Sequence, residues 1–561
     1  MPAPTASIQR IVEVDGSALA SDVESQLESV LVVDRMAMPD MFTLVFRDPN
    51  RDILGRAGLE IGKKVTISAA SVSSDTPEAL IKGEVTSIEA ECDTLGTRAV
   101  VRGYDRSHRL VAGRKTATFQ NTKYSDIAQQ IAGNAGLQAD VDTSNGTYEH
   151  VFQVNQSDLD FLYGLAREIG FDCRVDDETL LFKRPVESSG APGEGDLSSS
   201  DPVQLVWGAN LLEFRARMSA VAQVSSVEVR GWDPAAKEAV IGTADAVATN
   251  AELATSAGAL AERVGGRTLV VVNHGVESQQ AADQLARARA EQIGSAGFEA
   301  TAVAVGSPAL KAGTPVSVSG IDPALAGKWV ISGSRHEFGV GAYRTSLEFT
   351  GRQDRSILGL VSQGSAGMPE RLPGVVIALV DDNDDPLAMG RVRLRFPWMG
   401  EDAVSFWARV AMPGAGKDYG MVWMPQVDDE VLVAFEHGDP SRPFVIGGLW
   451  NGVDTPPLGD SLFDGGRVKR SGFVSRSGHK LVFFDDPGES GIALISSNDK
   501  FRISLNETSG EIHVYFDGKL LLEGTGDVEV KTQGNFKVDA SGVEIKASGQ
   551  TAIKGATVAL N

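Results

Sequence analysis

The amino-acid sequence predicts a mainly β protein with a small α/β part, and three observations support this prediction. Short β-rich runs separated by turns fill most of the 561 residues. Two segments with helical period occur between residues 119 and 186. The C-terminal region repeats pairs of apolar residues and shows no helical pattern. The 61 glycines agree with a structure rich in turns, because the sequence lacks a Gly-X-Y period.

Composition excludes several classes of protein. The net charge of −23 argues against a nucleic-acid binder, which would show a basic footprint. Cys92 and Cys173 stand alone, which excludes a disulfide framework and a thiolate zinc site. The N-terminus lacks an apolar signal region, and no run of about 18 apolar residues occurs. We therefore expect cytoplasmic synthesis without a signal peptide and no stable membrane insertion.

Breaker-rich segments suggest how the chain is divided. Residues 187–201 and 353–370 are predicted to be linkers, since they combine glycine, serine and proline without apolar periodicity. The predicted divisions are a first β-barrel domain at 1–118, an α/β domain at 119–186, a second β-barrel domain with a helical insert at 202–352, a β domain at 371–452, a connector at 453–473 and a repeat region at 474–561.

Local patterns predict the elements in order. Two helices are expected at 125–137 and 157–170, with Ser125 and Ser157 as N-caps and Gly170 ending the second. Alanine-rich patterns predict further helices near 251–264 and 278–293. Alternating and β-branched residues predict strands in the first domain at 29–34, 41–46, 65–67 and 80–88.

From Ile503 onward, apolar residues at i and i+2 recur about every eight residues, with charged residues between and beside them. Each unit forms one short strand with two side chains on one face, which cannot enclose a core alone. Several identical chains would close the core. Three chains, each supplying one wall, would give an intertwined trimeric β-helix, or β-prism, with His513 pointing outward. The alternative is a plain antiparallel meander. The predicted axis residues are Leu520, Leu522, Val528, Val530, Phe536, Val538, Val543, Ile545 and Ile553.

Residues 390–452 contain ordered motifs, including Gly390-Arg-Val-Arg-Leu-Arg-Phe-Pro-Trp398 and Met424-Pro-Gln-Val-Asp-Asp-Glu-Val431. They resemble the OB-fold of VgrG-type spike proteins of contractile injection systems, with Asp428 where that family usually has glycine. Residues 119–175 resemble phage late-control D baseplate hub proteins, and the terminal repeat resembles the needle β-helix. The hub segments are more similar to phage D proteins and extracellular contractile injection particles than to type VI VgrG.

The resemblance implies a structural function. It implies a homotrimeric hub and spike that caps the inner tube and is pushed through a target envelope when a sheath contracts. Inner tube and baseplate proteins are the implied partners, with possible effector cargo. A PAAR-like tip protein is expected to contact Val558, Leu560 and Asn561. The assembly is a phage tail-like particle, either released or intracellular, and a phage tail baseplate hub-spike stays an alternative.

Motifs for catalysis or metal binding are not found, so we expect no enzyme, no cofactor and no metal. The acidic turn 381–386 has Pro386 where a calcium loop needs glycine, and is expected to be a solvated hairpin turn. His437 is expected to be structural. Three alternatives stay open: a cell-wall-degrading spike enzyme using Asp158 and Asp160, a nucleic-acid-binding OB-fold, and a polysaccharide-binding β-solenoid. The second rests on three arginines that alternate on one strand, Arg391, Arg393 and Arg395.

Overall fold

The chain forms two compact units, residues 1–449 and 450–561, which are described separately. A computed structural model describes residues 10–36, 38–71, 74–94, 96–272, 274–339, 342–351, 372–400, 403–459, 462–486 and 488–559. The predicted linker 353–370 lies outside the described residues. Within these ranges, no helix has the length and apolar character needed to cross a membrane.

One large sheet dominates the first unit, in the order β14-β19-β23-β22-β3-β4-β7-β6-β5-β1-β2. The predicted strands of the first domain are confirmed within it. Its strands are β1 Arg10–Val14, β2 Ser17–Ala18, β3 Leu27–Arg35, β4 Met41–Arg47, β5 Lys64–Ser71, β6 Ser74–Asp93, β7 Gly96–Tyr104, β14 Leu211–Met218, β19 Phe298–Val305, β22 Gly333–Gly339 and β23 Ala342–Phe349.

This sheet joins two segments that the sequence separates into two barrels. Strand β22 pairs antiparallel with β3, with Arg335 opposite Val33. Phe338 and Tyr343 then enter the same core as Phe42, and all three side chains are buried. The two β segments are therefore continuous through backbone hydrogen bonds and share a core, while the domain boundaries drawn from the sequence stay predictions.

Smaller sheets complete this part of the unit. Segment 187–201 contains the single 3-10 turn Ser188–Gly190. The hydroxyl groups of Ser317 and Ser319 donate to the carbonyls of Gly193 and Gly195 at 3.0 and 2.8 Å, so the segment lies against a strand. The strands are β8 Lys115–Thr122, β9 Gln138–Val141, β10 Tyr148–Gln156, β11 Asp172–Asp176, β12 Thr179–Lys183, β13 Gln204–Val206, β15 Ser226–Asp233, β16 Glu238–Asp245, β17 Ala251–Leu253, β18 Thr268–Val271, β20 Pro315–Ser319 and β21 Gly327–Val330.

The helices follow local capping signals, with two differences. Ser157 accepts a hydrogen bond from the Asp160 amide, and Gly170 ends that helix at a left-handed φ of 74°, as predicted. The prediction for Ser125 is wrong, because the preceding helix begins at Tyr124 and the Ser125 amide donates to the Ser144 hydroxyl. Residues 251–253 form a strand and not a helix. The helices are α1 Ser21–Glu24, α2 Ile53–Ala57, α3 His108–Val111, α4 Tyr124–Asn134, α5 Asp158–Ile169, α6 Ala257–Glu262 and α7 Gln279–Ser295.

A closed barrel, in the order β24-β25-β26-β30-β29, occupies the end of the first unit. Its core includes Phe396 and Val433, and Phe152 and Val154 from β10 pack into the same core. The barrel core is therefore completed by a strand from elsewhere in the unit. The strands are β24 Val375–Asp382, β25 Arg391–Arg395, β26 Ala408–Val410, β29 Glu430–Phe435 and β30 Pro443–Gly448, with a small hairpin of β27 Ala415–Gly416 and β28 Tyr419–Gly420.

The second unit contains one antiparallel sheet in sequence order, called the collar sheet below. It is preceded by a two-stranded hairpin, and no strand or helix occurs from residue 517 to 559. Residues 518–559 are called the tail below. The hairpin strands are β31 Phe463–Asp464 and β32 Arg467–Val468. The collar strands are β33 Arg470–Val474, β34 Lys480–Asp486, β35 Glu489–Ile495, β36 Phe501–Asn506 and β37 Glu511–Phe516.

Candidate assembly site

The predicted axis residues of the tail are exposed in the single chain. Their exposed fractions lie between 50% for Leu520 and 76% for Leu522. The tail backbone also lacks a strand ladder within the described residues, although its extended segments carry strand-forming residues. The exposed apolar rows of the tail and its backbone without strand partners both indicate a surface that binds a partner. The assignment of these residues to a trimer axis stays a prediction.

Charged residues of the tail alternate with its apolar pairs. Glu529 and Lys531 form an ion pair of 2.8 Å on either side of Val530 in the sequence, and Lys537 and Asp539 form one of 3.8 Å around Val538. In an extended chain, residues at i and i+2 point the same way and their neighbours point the opposite way. The repeats around Val530 and Val538 therefore have one apolar side and one charged side. Of the predicted tip residues, Val558 is half exposed, and Leu560 and Asn561 lie outside the described residues.

The collar sheet carries an apolar face that includes the first two pairs of the predicted repeat, Ile503 with Leu505 and Ile512 with Val514, and here they lie in an antiparallel meander formed by one chain. Cross-strand rows such as Leu481–Leu494–Ile503–Val514 place large apolar side chains on one side of four adjacent strands. This collar face is exposed in the single chain, with exposed fractions from 37% to 73%. Its exposed members are Phe473, Phe483, Ile492, Leu494, Phe501, Ile503, Leu505, Ile512, Val514 and Phe516.

The opposite side of the collar sheet differs in character. Val482 and Ala493 are buried there, at 3% and 0% exposure, and Ser504 follows in the same row. His513 lies opposite Ser504, so it faces away from the neighbouring Ile512, and its position on the outside of a prism stays a prediction. The collar face is therefore apolar and exposed, whereas the opposite face combines a few buried small residues with polar and charged ones. The sequence signal for the collar face on β34 and β35 was the alternation of apolar residues at i and i+2, which begins before Ile503.

The barrel buries a salt bridge that changes the interpretation of its acidic turn. Arg391 Nη2 lies 2.7 Å from Asp385 Oδ1, and both side chains are less than 10% exposed. Asp385 also accepts hydrogen bonds from the amides of Leu387 and Met389. The Arg391 side chain and these amides hold the pKa of Asp385 down at about 2. The expectation of a fully solvated turn is therefore wrong for Asp385, whose carboxylate fixes the turn to β25.

Salt bridges on the same strand, β25, weaken the hypothesis of a nucleic-acid-binding OB-fold. Arg393 lies 3.5 Å from Asp381, and Arg395 lies 3.3 Å from Asp428. A groove that binds nucleic acid needs cationic groups available to the phosphates. Here each of the three arginines of β25 already has a carboxylate neighbour.

Asp428 shows why glycine is usual at its position in the resembling motif. Its φ is 71°, in the left-handed region that favours glycine and that aspartate adopts more readily than most residues. The substitution therefore preserves the turn. His437 has a φ of 52° in the turn that follows β29, and the structural role expected for it stays a prediction.

The carboxylates of the enzyme alternative have structural partners. Asp158 lies 2.8 Å from Lys115 and accepts a hydrogen bond from Gln153, and the Ser157 hydroxyl donates to Asp160 at 2.7 Å. Both aspartates therefore stabilise the start of α5. Within the described residues, no group of three or more histidine, cysteine, aspartate or glutamate side chains is placed to hold a metal ion.

Glu168 was not singled out from the sequence. It lines a cavity of about 150 Å³ together with Tyr124, Asp160, His437 and Arg442. Burial raises the pKa of Glu168 to about 7, a value suited to proton transfer at neutral pH. Ligand sites, however, are usually clefts of roughly 300–1,000 Å³. This cavity is too small for a glycan chain and gives no support to wall hydrolysis.

Comparison with known proteins assigns the chain to a class that agrees with its β fold and closed barrel. Residues 9–339 match the family of the Alg8 N-terminal domain. Residues 376–450 match the type VI secretion system/phage-baseplate injector OB domain. The chain is therefore a VgrG-like hub and spike protein, mostly β with a closed OB barrel. It belongs to the Alg8 N-terminal domain family, whose match covers more than half of its residues.

Individual relatives show the same class. The actin cross-linking toxin VgrG1 of Vibrio cholerae is 28% identical over 270 residues, which are 42% of this chain and 24% of that protein. The type VI secretion system spike protein VgrG3 of the same species is 33% identical over 115 residues, which are 20% of this chain and 11% of that protein. The chain thus spans a quarter or less of the length of these curated relatives.

A solved structure shares the fold. In the half-lidded Francisella PdpA-VgrG complex, a chain with 10% identity matches with a TM-score of 0.51 over 91% of this chain and 88% of that chain. At this identity the match extends to the fold alone, and it covers almost the full length of both chains.

Proposed function

We propose that this chain is the structural hub and spike of a contractile injection system, and that three copies form it. In the assembled particle it caps the inner tube, and its tail is the needle that pierces a target envelope on sheath contraction. The observation that carries the proposal is the pair of uncovered apolar surfaces, the collar face and the tail. A single chain leaves both in water, and identical rows on further copies would cover them.

The proposed action is mechanical and not enzymatic. The tempting carboxylates of α5 have structural partners, and the cavity beside Glu168 is smaller than a glycan site. Of two similar relatives, one is named as a toxin and the other as a spike protein. We propose that effector cargo is carried by this chain and is not formed by its described residues.

Several parts of the proposal rest on the resemblance. The partners are inner tube and baseplate proteins, with a PAAR-like protein on the tip around Val558 and possible effector cargo. The domain boundaries at 118, 186, 352 and 452 give hub domains followed by an OB domain and a needle. The chain is made in the cytoplasm and assembles into a phage tail-like particle.

Deletion of the gene in its own cells tests the function. We expect electron microscopy of purified preparations to show sheathed particles in the parent strain and no complete particles in the deletion strain, with recovery when the full-length gene is restored. Restoring a gene that lacks the codons for residues 518–561 tests the contribution of the proposed needle separately from that of the proposed hub. Normal sheathed particles in the complete deletion strain would contradict the proposal.

A further inference from the structure

The collar sheet and the tail differ in how much structure one chain provides. All five collar strands are paired by continuous antiparallel registers within the chain, for example Val482 with Ala493 and Ala493 with Ser504. The tail has no such ladder from residue 518 to 559. The collar face is therefore preformed in a single chain, while the tail has no strand partners within the described residues of that chain.

This difference sets an order of assembly. Ordering a residue's backbone carries an entropic penalty of about 1–2 kcal/mol, so three free tails would meet this penalty for about forty residues each before gaining contacts. The collar face has its side chains already aligned and meets little of this penalty on docking. Once collars are joined, the tails are held at a high effective concentration, and their winding becomes an intramolecular step.

We propose that the collar face is a contact between copies of this chain that forms before the tail and sets the register of the three tails. This inference rests on the proposed function, since it specifies how the trimer begins. A second copy is the occupant, because the collar rows continue directly into the tail repeat. The apolar pair of β37, Ile512 and Val514, is followed eight residues later by Leu520 and Leu522 at the same i, i+2 spacing.

The chemistry of the face agrees with this occupant. The central rows of the collar face contain no ionisable side chain, as in the cores of stable interfaces between identical subunits. The charged groups of these strands have the parity of the opposite face, where Lys500 pairs with Asp517 at 3.0 Å and Arg502 lies 3.8 Å from Glu489. A partner of opposite charge would find little to recognise at the centre of the face, whereas an identical apolar face fits it.

Two adjacent residues of β37 give a matched test in the full-length chain. Val514→Asp places a carboxylate on the collar face, and His513→Asp places the same group on the opposite face of the same strand. We measure mass in solution and hydrogen exchange of the tail amides. Val514→Asp is expected to reduce the mass to that of one chain and to leave residues 518–559 unprotected. His513→Asp is expected to keep both the wild-type mass and the protection.

A variant in the tail tests the order. Val530→Asp is expected to lose tail protection and keep the mass of the wild-type assembly, because the collar contact is intact. Leu494→Asp repeats the collar test on a central strand, and circular dichroism checks that each variant keeps its strands. The inference is overturned if Val514→Asp and Leu494→Asp stay assembled, or if Val530→Asp falls apart. A monomeric wild-type chain would instead contradict the proposed function.

Discussion

Val530→Asp is expected to abolish the protection of residues 518–559 against hydrogen exchange, while the first unit keeps its wild-type exchange rates. In the proposed prism, this substitution brings three carboxylates together near the axis without cationic partners. Burying an unpaired charge costs several kcal/mol, and like charges at close range add to this penalty. Two apolar residues per repeat cannot offset a loss of that size, so the needle does not form.

The matched control is Lys531→Asp, which places the same carboxylate on the neighbouring residue. Lys531 is 80% exposed and pairs with Glu529 on the charged side of the tail. A surface ion pair of this kind is worth about 0–1 kcal/mol, so the control is expected to keep its protection. If Val530→Asp is protected as well as Lys531→Asp, the assignment of Val530 to the axis is wrong.

Asp385→Ala is expected to destabilise the OB barrel by about 3–5 kcal/mol, because it leaves the buried guanidinium of Arg391 without its carboxylate partner. Two nitrogens of Arg391 contact Asp385, at 2.7 and 3.1 Å. The loss of stability is measured by urea unfolding at neutral pH, with hydrogen exchange of the amides in β24–β30 as the probe of the barrel. The control is Asp384→Ala, since Asp384 is exposed and adjacent in the sequence.

The pH dependence of this pair has a defined sign. The folded pKa of Asp385 is lowered to about 2, mainly by its hydrogen bond with Arg391. Its carboxylate therefore contributes stability above the ordinary aspartate pKa near 4, and this contribution is lost as the pH falls through about 2. The difference between wild type and Asp385→Ala should shrink from pH 5 to pH 2. Equal stability of the two proteins at pH 7 would show that the salt bridge is not important for the barrel.

Features with local causes were predictable from the sequence. Ser157 caps α5 because its hydroxyl reaches an amide three residues away, and Gly170 ends that helix because a left-handed residue is needed there. The OB barrel was predicted from a resemblance over a long ordered motif, and the family comparison agrees. The apolar repeat of the tail is a local pattern too, although its closure by other chains is still a prediction.

Features that depend on distant residues were missed. The pairing of β22 with β3 joins segments about 300 residues apart, and no local pattern specifies which edge strands meet. Ser125 looked like a cap, but Ser144 occupies its amide. Asp385 looked solvated, because burial of an aspartate depends on the arginine that folds against it. No local pattern indicated that Glu168 is buried beside a cavity, since the residues around it come from three separate parts of the unit.

The mass of the purified full-length chain in solution tests the central claim most directly. Light scattering coupled to size-exclusion chromatography, at micromolar concentration and near-neutral pH, gives that mass without reference to shape. The account predicts three times the chain mass of 59.3 kDa. A mass of one chain under these conditions, with the tail unprotected, would contradict the proposal that the collar face and the tail are covered by two further copies.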